Sequence, residues 1–310
     1  MNTGKTAANI LIHEVGPRDG LQMESGVVPL EKKETWLRGL MESGVDIVQV
    51  GSFVHPVKVP QMADTDELFR RLTTDKRSKT VLSGLALNEK GLERGLACGV
   101  EMFCLGVSAS ETHSRKNTGM GTDEAARRII AAAKSALAAG KKVQISVQSA
   151  FGCGFEGPIP EERVLRIVRA YVEAGLRNVS LADTAGHAHP AQVERLFGEM
   201  FRLDPAIEAA CHFHNTYGLG MANIFAALRA GVSSFETSFA GLGGCPFTKM
   251  AAGNVATEDL VHVLQLEGLR RDIDLEKLIG IARGVAEHFG RDMQGFVYRT
   301  GPIPVAAKTA

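Results

Sequence analysis

Short runs rich in Val, Ile, Phe and Thr alternate along this chain with longer segments whose apolar residues recur at helical spacing. The strand-like runs fall at 10–15, 46–53, 80–87, 101–107, 142–149, 178–183, 208–214 and 233–239, most of them ending in Gly, Ser, Asp or Asn. Between them, 31–43 carries Trp36, Leu37, Leu40 and Met41 on one helical face and meets Gly44 as a C-cap. Segment 122–139 opens on Thr122, Asp123 and Glu124, which suit a helix N-terminus, and closes at Gly140; 161–174 follows Pro160 and stops at Gly175. Helices are also expected at 191–201, 220–230 and 257–266, with weaker patterns at 64–74 and 89–98. Three helix ends read alike: Glu42-Ser43-Gly44-Val45, Glu173-Ala174-Gly175-Leu176 and Arg229-Ala230-Gly231-Val232. Each reads as a left-handed glycine followed by the first apolar residue of the next strand, an ordinary αβ turn without function.

Eight such units of about 20–40 residues predict an α/β fold of the (β/α)8 TIM-barrel type, because parallel strands need crossover helices and eight units close a barrel. The barrel is expected over residues 1–268. Residues 269–310 read as a C-terminal helical extension packed on it, with a helix at 275–289 and a Gly/Pro-bearing tail. A doubly wound open sheet is disfavoured, because Gly16-Pro17-Arg18-Asp19-Gly20 has neither the spacing nor the charge of a phosphate-cradling loop.

Composition narrows the function classes. Lys+Arg 35 against Asp+Glu 35 gives no bulk attraction to nucleic acid or to an anionic membrane, although a few placed cations would serve an anionic small molecule. No run of about 18 apolar residues reads as a membrane span. Residues 1–9 are polar and lack the apolar stretch of a signal peptide, and Lys308-Thr309-Ala310 is not a peroxisomal address. The five cysteines (Cys98, Cys104, Cys153, Cys211, Cys245) have no metal-ligand spacing and read as reduced thiols, so the expected location is the cytoplasm. Self-association into a homo-oligomer is compatible with the sequence.

In a barrel enzyme the chemistry sits on the loops that follow the strands. The run Cys211-His212-Phe213-His214-Asn215 puts His212 and His214 on one face of the seventh strand, and two imidazoles on one face at a strand end can hold a metal ion. After the first strand, Arg18 and Asp19 offer a cation for an oxyanion and a carboxylate for a metal, within residues that also suit an ordinary turn. Strands one and seven are separated only by strand eight around a closed barrel, so Asp19 can reach an ion held by the two histidines. After the eighth strand, Gly241-Leu242-Gly243-Gly244-Cys245-Pro246 makes a glycine-rich loop. Its thiol is either a proton donor or a small loop residue. Asn254 either supplies an oxygen ligand or caps the next helix. Ser180 and Thr184 share a parity and either offer hydroxyls to a substrate carboxylate or belong to a turn begun by Asp183-Thr184. The remaining histidines (His13, His55, His113, His187, His189, His262, His288) carry no spacing signal and read as surface or packing residues.

Taken together, these phrases resemble the hydroxymethylglutaryl-CoA lyase family of metal-dependent TIM-barrel lyases. The resemblance runs through Glu14-Val15-Gly16-Pro17-Arg18-Asp19-Gly20-Leu21-Gln22, Ser52-Phe53-Val54, Val59-Pro60-Gln61-Met62 and Ser110-Glu111. It continues through Ser180-Leu181-Ala182-Asp183-Thr184, His212-Phe213-His214-Asn215, the glycine-rich loop and Gly253-Asn254. It implies retro-Claisen cleavage of a 3-hydroxyacyl-CoA, such as 3-hydroxy-3-methylglutaryl-CoA, to acetyl-CoA and a keto acid such as acetoacetate. It further implies that Asp19, His212 and His214, with Asn254, ligate Mg2+ or Mn2+. Arg18 would stabilise the enolate oxygen, Cys245 would protonate the enolate carbon, and Asp19 or His212 would act as base. Gln22, Gln49, Ser52, Ser180 and Thr184 would line the substrate site. The chain departs from the family at Gln49, where a glutamate is usual, and at His55-Pro56-Val57-Lys58, where a Ser-Pro-Lys-Trp kind of segment is usual. Both changes lie on the second βα loop, so a related substrate such as citramalyl-CoA is the alternative. Two further readings are a synthase condensing acetyl-CoA with a 2-oxo acid, and a catalytically silent binding protein that keeps the barrel.

Overall fold

The computed structural model describes residues 10–74, 76–244 and 253–304. Its eight strands are β1 (Leu11–Glu14), β2 (Ile47–Ser52), β3 (Val81–Leu85), β4 (Met102–Ser108), β5 (Lys142–Gln148), β6 (Asn178–Asp183), β7 (Glu208–Phe213) and β8 (Ser234–Thr237). All pair in parallel in sequence order, and β8 closes the barrel against β1 with Leu11 opposite Ser234 and Glu14 opposite Thr237. β2 and β4 are buried along their whole length, as a sheet covered by helices outside and by its own side chains inside requires. That double burial explains why these strands read as continuous apolar runs and not as alternating ones.

The crossover helices are α1 (Leu30–Ser43), α2 (Thr65–Thr73), α3 (Glu89–Cys98), α4 (Glu111–Thr118), α5 (Thr122–Ala138), α6 (Glu161–Glu173), α7 (Pro190–Leu203), α8 (Gly220–Ala230) and α9 (Thr257–Leu266). The predicted elements agree with these to within two residues at nearly every end. The three repeated turns behave as read: Gly44, Gly175 and Gly231 take φ of +91°, +84° and +104°. The strand expected at 233–239 stops at Thr237, because the chain tightens into a short turn over Phe239–Gly241 in which Ala240 has φ +56°. α4 was not anticipated. Its polar sequence buries little, but Ser110 caps it through His113 N at 3.1 Å and Gly119 ends it.

After α9 the chain forms α10 (Leu275–Phe289) and a final turn, α11 (Val297–Thr300). α10 lies against α1, with His288 edge-on to Trp36 at 5.5 Å and Ile281 filling the space over Gly39. Residues 291–297 then cross back toward the loops at the C-terminal ends of β1 and β8. No helix among the described residues is long and apolar enough to cross a membrane.

Candidate active site

β1 delivers its last residues into one wide helical turn, Gly16–Gly20, in which the Asp19 amide donates to Val15 O at 2.7 Å. Gly16 is needed there, because a Cβ would lie 2.7 Å from both Glu14 Oε1 and Ser238 Oγ. The turn aims Arg18 and Asp19 across the barrel mouth. Arg18 Nη1 donates to Asp19 Oδ1 at 2.6 Å, and Arg18 Nε donates to Gln49 Oε1; Gln49 lies inside β2, paired with Ser83 of β3, and not on the loop after it as its position next to Gly51-Ser52 suggested.

β7, separated from β1 only by β8, supplies the next donors. Alternation sends Cys211 and Phe213 into the fully buried layer under the helices and leaves His212 and His214 facing inward. Their Nε2 atoms are 3.0 Å apart, and each lies 3.7 Å from Asp19 Oδ2. One ligand atom from each of the three residues therefore lies within 4.8 Å of the others. Asn254, brought alongside by a bridge between His214 and Asn254, donates Nδ2 to Asp19 Oδ2 at 2.9 Å.

These donors fit a divalent cation. Two ring nitrogens and a carboxylate oxygen converge, and the Asn254 Oδ1 atom beside them is buried without a hydrogen-bond partner among the described residues. Imidazole and oxygen donors together suit Mg2+, Mn2+, Fe2+ or Zn2+. The ring of His212 is oriented from behind: its Nδ1 meets Glu236 Oε2 at 3.0 Å, and Ser180 Oγ donates to Glu236 Oε1 at 2.8 Å. A carboxylate on Nδ1 turns the Nε2 lone pair toward the would-be ion.

The charges are mutually dependent. Burial would raise Asp19, but the Arg18 guanidinium and the two imidazoles hold its carboxyl well below the usual range. Burial also opposes charge on His212, yet its hydrogen bond to Glu236 and the charge of Asp19 outweigh it and raise the ring above its ordinary value. In His214 burial wins over Asp19, and the value falls. Deeper in the barrel, burial drops His13 to about 4, and its Nε2 pairs with Ser83 Oγ at 2.9 Å.

Arg18, Asp19, Gln22, Gln49, Thr184, His212 and His214 all line a cavity of about 490 Å³ at this mouth. Ser52 sits just behind it, donating Oγ to Gln22 Oε1 at 3.1 Å. Ser180 is fully buried, and its hydroxyl holds Glu236 in place of facing the cavity. Thr184 Oγ1 accepts the Ser149 amide at 2.9 Å, while Asp183 caps the following turn through His187 N and Ala188 N. Cys245 lies outside the described residues; Gly244, the last described residue before it, is part of the cavity lining. Glu236 escaped the sequence reading, although an acid inside a strand was a visible signal. His113 and Asn117, on the unanticipated α4, and Gln144 and Gln148, on β5, also line the cavity. Cys104 faces it too, but burial and the Glu236 charge push its thiol up to about 12, so it is not a nucleophile.

Comparison with known proteins agrees with this geometry. The HMGL-like family model matches residues 9–285. The chain is 37% identical to the hydroxymethylglutaryl-CoA lyase of Bacillus subtilis over 92% of its own length and 94% of that protein's. It is 34% identical to the (R)-citramalyl-CoA lyase of Chloroflexus aurantiacus over 95% of both chains. Among solved structures, an HMG-CoA lyase from Acinetobacter baumannii in complex with coenzyme A and 3-methylmalate superposes with a TM-score of 0.89 at 34% identity, covering 96% of this chain and 98% of that one. The chain belongs to the HMGL-like family, and with it to the divalent-metal-dependent carbon–carbon lyases.

Proposed function

We propose that this enzyme cleaves a 3-hydroxyacyl-CoA, 3-hydroxy-3-methylglutaryl-CoA or a close analogue, by a retro-Claisen reaction that releases acetyl-CoA and a keto acid. The observation that carries the reading is the convergence of Asp19, His212 and His214 beside the cavity-facing guanidinium of Arg18. Asp19, His212, His214 and Asn254 would hold Mg2+ or Mn2+, which when bound supplies Lewis acidity to the substrate hydroxyl and carboxylate.

The chain's own groups then divide the work. Asp19 or His212 takes the hydroxyl proton as the C2–C3 bond breaks, C3 becomes a ketone carbon, and the bonding pair passes into a thioester enolate. Arg18, fixed from two sides by Asp19 and Gln49, presents its positive charge to the enolate oxygen without having to reorganise. The Cys245 thiol returns a proton to the enolate carbon, giving acetyl-CoA. Gln22 and Gln49, with Thr184, bound the acyl portion, and exposed Lys58 at the rim supplies positive charge for the anionic coenzyme. The four described cysteines are buried thiols, in keeping with work in a reducing compartment such as the cytoplasm.

Gln49 favours a second reading. A neutral amide there leaves the Arg18 charge balanced by Asp19 alone, which suits an acid carried closer to the carbinol carbon, as in citramalyl-CoA. A coupled assay for acetyl-CoA release from both thioesters, with Mg2+ or Mn2+, tests the proposal. Release from neither would sink the lyase reading, and a large preference for citramalyl-CoA would select the second.

A further inference from the structure

The segment between α10 and α11 touches two of the loops that shape the metal corner, those after β1 and β8. Arg291 forms a paired contact with Glu24 at 2.6 and 2.9 Å, on the loop that follows Arg18 and Asp19. Gln294 Oε1 accepts the amide of Gly253 at 2.7 Å, and the Gly295 amide donates to Ala240 O at 3.1 Å. Asp259 on α9 holds the next two amides, Phe296 N and Val297 N. The two sides of the β8 loop are thus gripped by neighbouring residues of one strap.

The grip is tight. A Cβ on Gly295 would stand 2.4 Å from Glu258 Oε1, and one on Gly241 would stand 3.2 Å from Gln294 Cβ. Gly253 packs so closely on Gly241 that a Cβ would overlap its carbonyl oxygen at 1.6 Å. Gly253 directly precedes Asn254, whose Nδ2 bonds both Leu242 O at 3.0 Å and Asp19 Oδ2 at 2.9 Å. Displacement of Gly253 is therefore passed to Asn254 within one peptide and to Asp19 within one hydrogen bond.

We propose that Gln294 is a positioning residue: by accepting the buried Gly253 amide it fixes Asn254 against Asp19 and so sets the affinity of the corner for a divalent cation. Among the described residues, Gln294 bonds to the Gly253 amide and is not part of the cavity lining. The inference rests on the metal reading of Asp19, His212 and His214.

The test compares the whole protein with Gln294→Met, which keeps length and bulk but accepts no hydrogen bond, and with Gln294→Glu, which keeps the acceptor. Mn2+ binding is titrated by electron paramagnetic resonance without substrate, and thermal unfolding is followed in parallel. The expected result is about tenfold weaker Mn2+ binding in Gln294→Met, the equivalent of one net hydrogen bond, with near wild-type binding in Gln294→Glu. Equal Mn2+ affinity in all three overturns the proposal, as does equal weakening in both variants, because they share the loss of the side-chain NH2 and differ in the acceptor. A wild-type protein that binds no Mn2+ would instead overturn the metal reading itself. Should Gln294→Met unfold, Arg291→Ala serves in its place: it releases the strap at Glu24 only and is expected to weaken Mn2+ less than threefold, and a larger loss there overturns the assignment to Gln294.

Discussion

Replacing Glu236 by Gln isolates what a buried carboxylate contributes to a metal corner it never touches. The side chain is almost fully enclosed on β8, with Oε2 on His212 Nδ1 at 3.0 Å and Oε1 on Ser180 Oγ at 2.8 Å. Glutamine preserves the volume and can keep the serine contact, but it removes the charge that raises His212 and that burial alone would not permit. It can also present its NH2 to Nδ1, which would turn a protonated Nε2 toward Asp19 and block ligation. Loss of such an outer partner typically costs 10–100-fold in metal affinity, or about 1.4–2.7 kcal/mol. Ser180→Ala removes only one hydrogen bond from the same carboxylate and should cost about 1 kcal/mol. Substrate-free Mn2+ titration of the two variants reads both numbers directly. If Glu236→Gln bound Mn2+ as tightly as the wild type, His212 would need no orientation from β8 and the argument for Glu236 would fail.

Three further predictions follow from the same geometry. Arg18→Met should lower kcat by about 10²–10³ through loss of the enolate partner, while Mn2+ affinity changes far less; a proportionate loss of both would make Arg18 structural. Cys245→Ala should remove most turnover and leave Mn2+ binding intact, and unchanged turnover would take the thiol out of the mechanism. Burial raises Glu14 from 4.5 to about 7, against bonds from Thr257, Gly16 and Phe239. The folded protein then keeps a proton that the unfolded chain loses, so the Glu14 contribution is full below about pH 4.5 and is lost as pH rises through about 7. The difference is on the order of 3 kcal/mol, and Glu14→Gln should flatten that part of the profile in urea denaturation at pH 5 and 8, whereas parallel profiles for the two proteins would refute it.

The strands and most helices were legible because their signals are local. Apolar runs of four to eight residues, left-handed glycines at 44, 175 and 231, and Pro160 ahead of α6 each act within a few positions of themselves. α4 was hidden for the complementary reason. Its sequence, Glu-Thr-His-Ser-Arg-Lys-Asn-Thr, has almost no apolar periodicity, and its main support is external: Glu156, 44 residues away from Thr112, accepts that residue's amide at 2.6 Å. A helix held by its cap and by a distant carboxylate leaves no periodic trace in its own segment.

The site divides along the same line. His212 and His214 announce themselves because period-two spacing inside one strand fixes their common face before any tertiary contact is considered. Glu236 belongs to the same corner, but only the pairing of β7 with β8 shows it, since the register places Glu236 opposite His212. A residue on the next strand, 24 positions and one crossover helix away, has no spacing rule that connects it to His212. Ser180 shows the converse error. Its parity suggested a substrate-facing hydroxyl, yet that hydroxyl is taken up by Glu236, one step behind His212. In a closed barrel, parity says that a side chain points inward, while the layer it occupies decides whether it meets substrate or holds a ligand's partner. That layer is set by strand stagger, which for this corner depends on the β7–β8 and β8–β1 registers together.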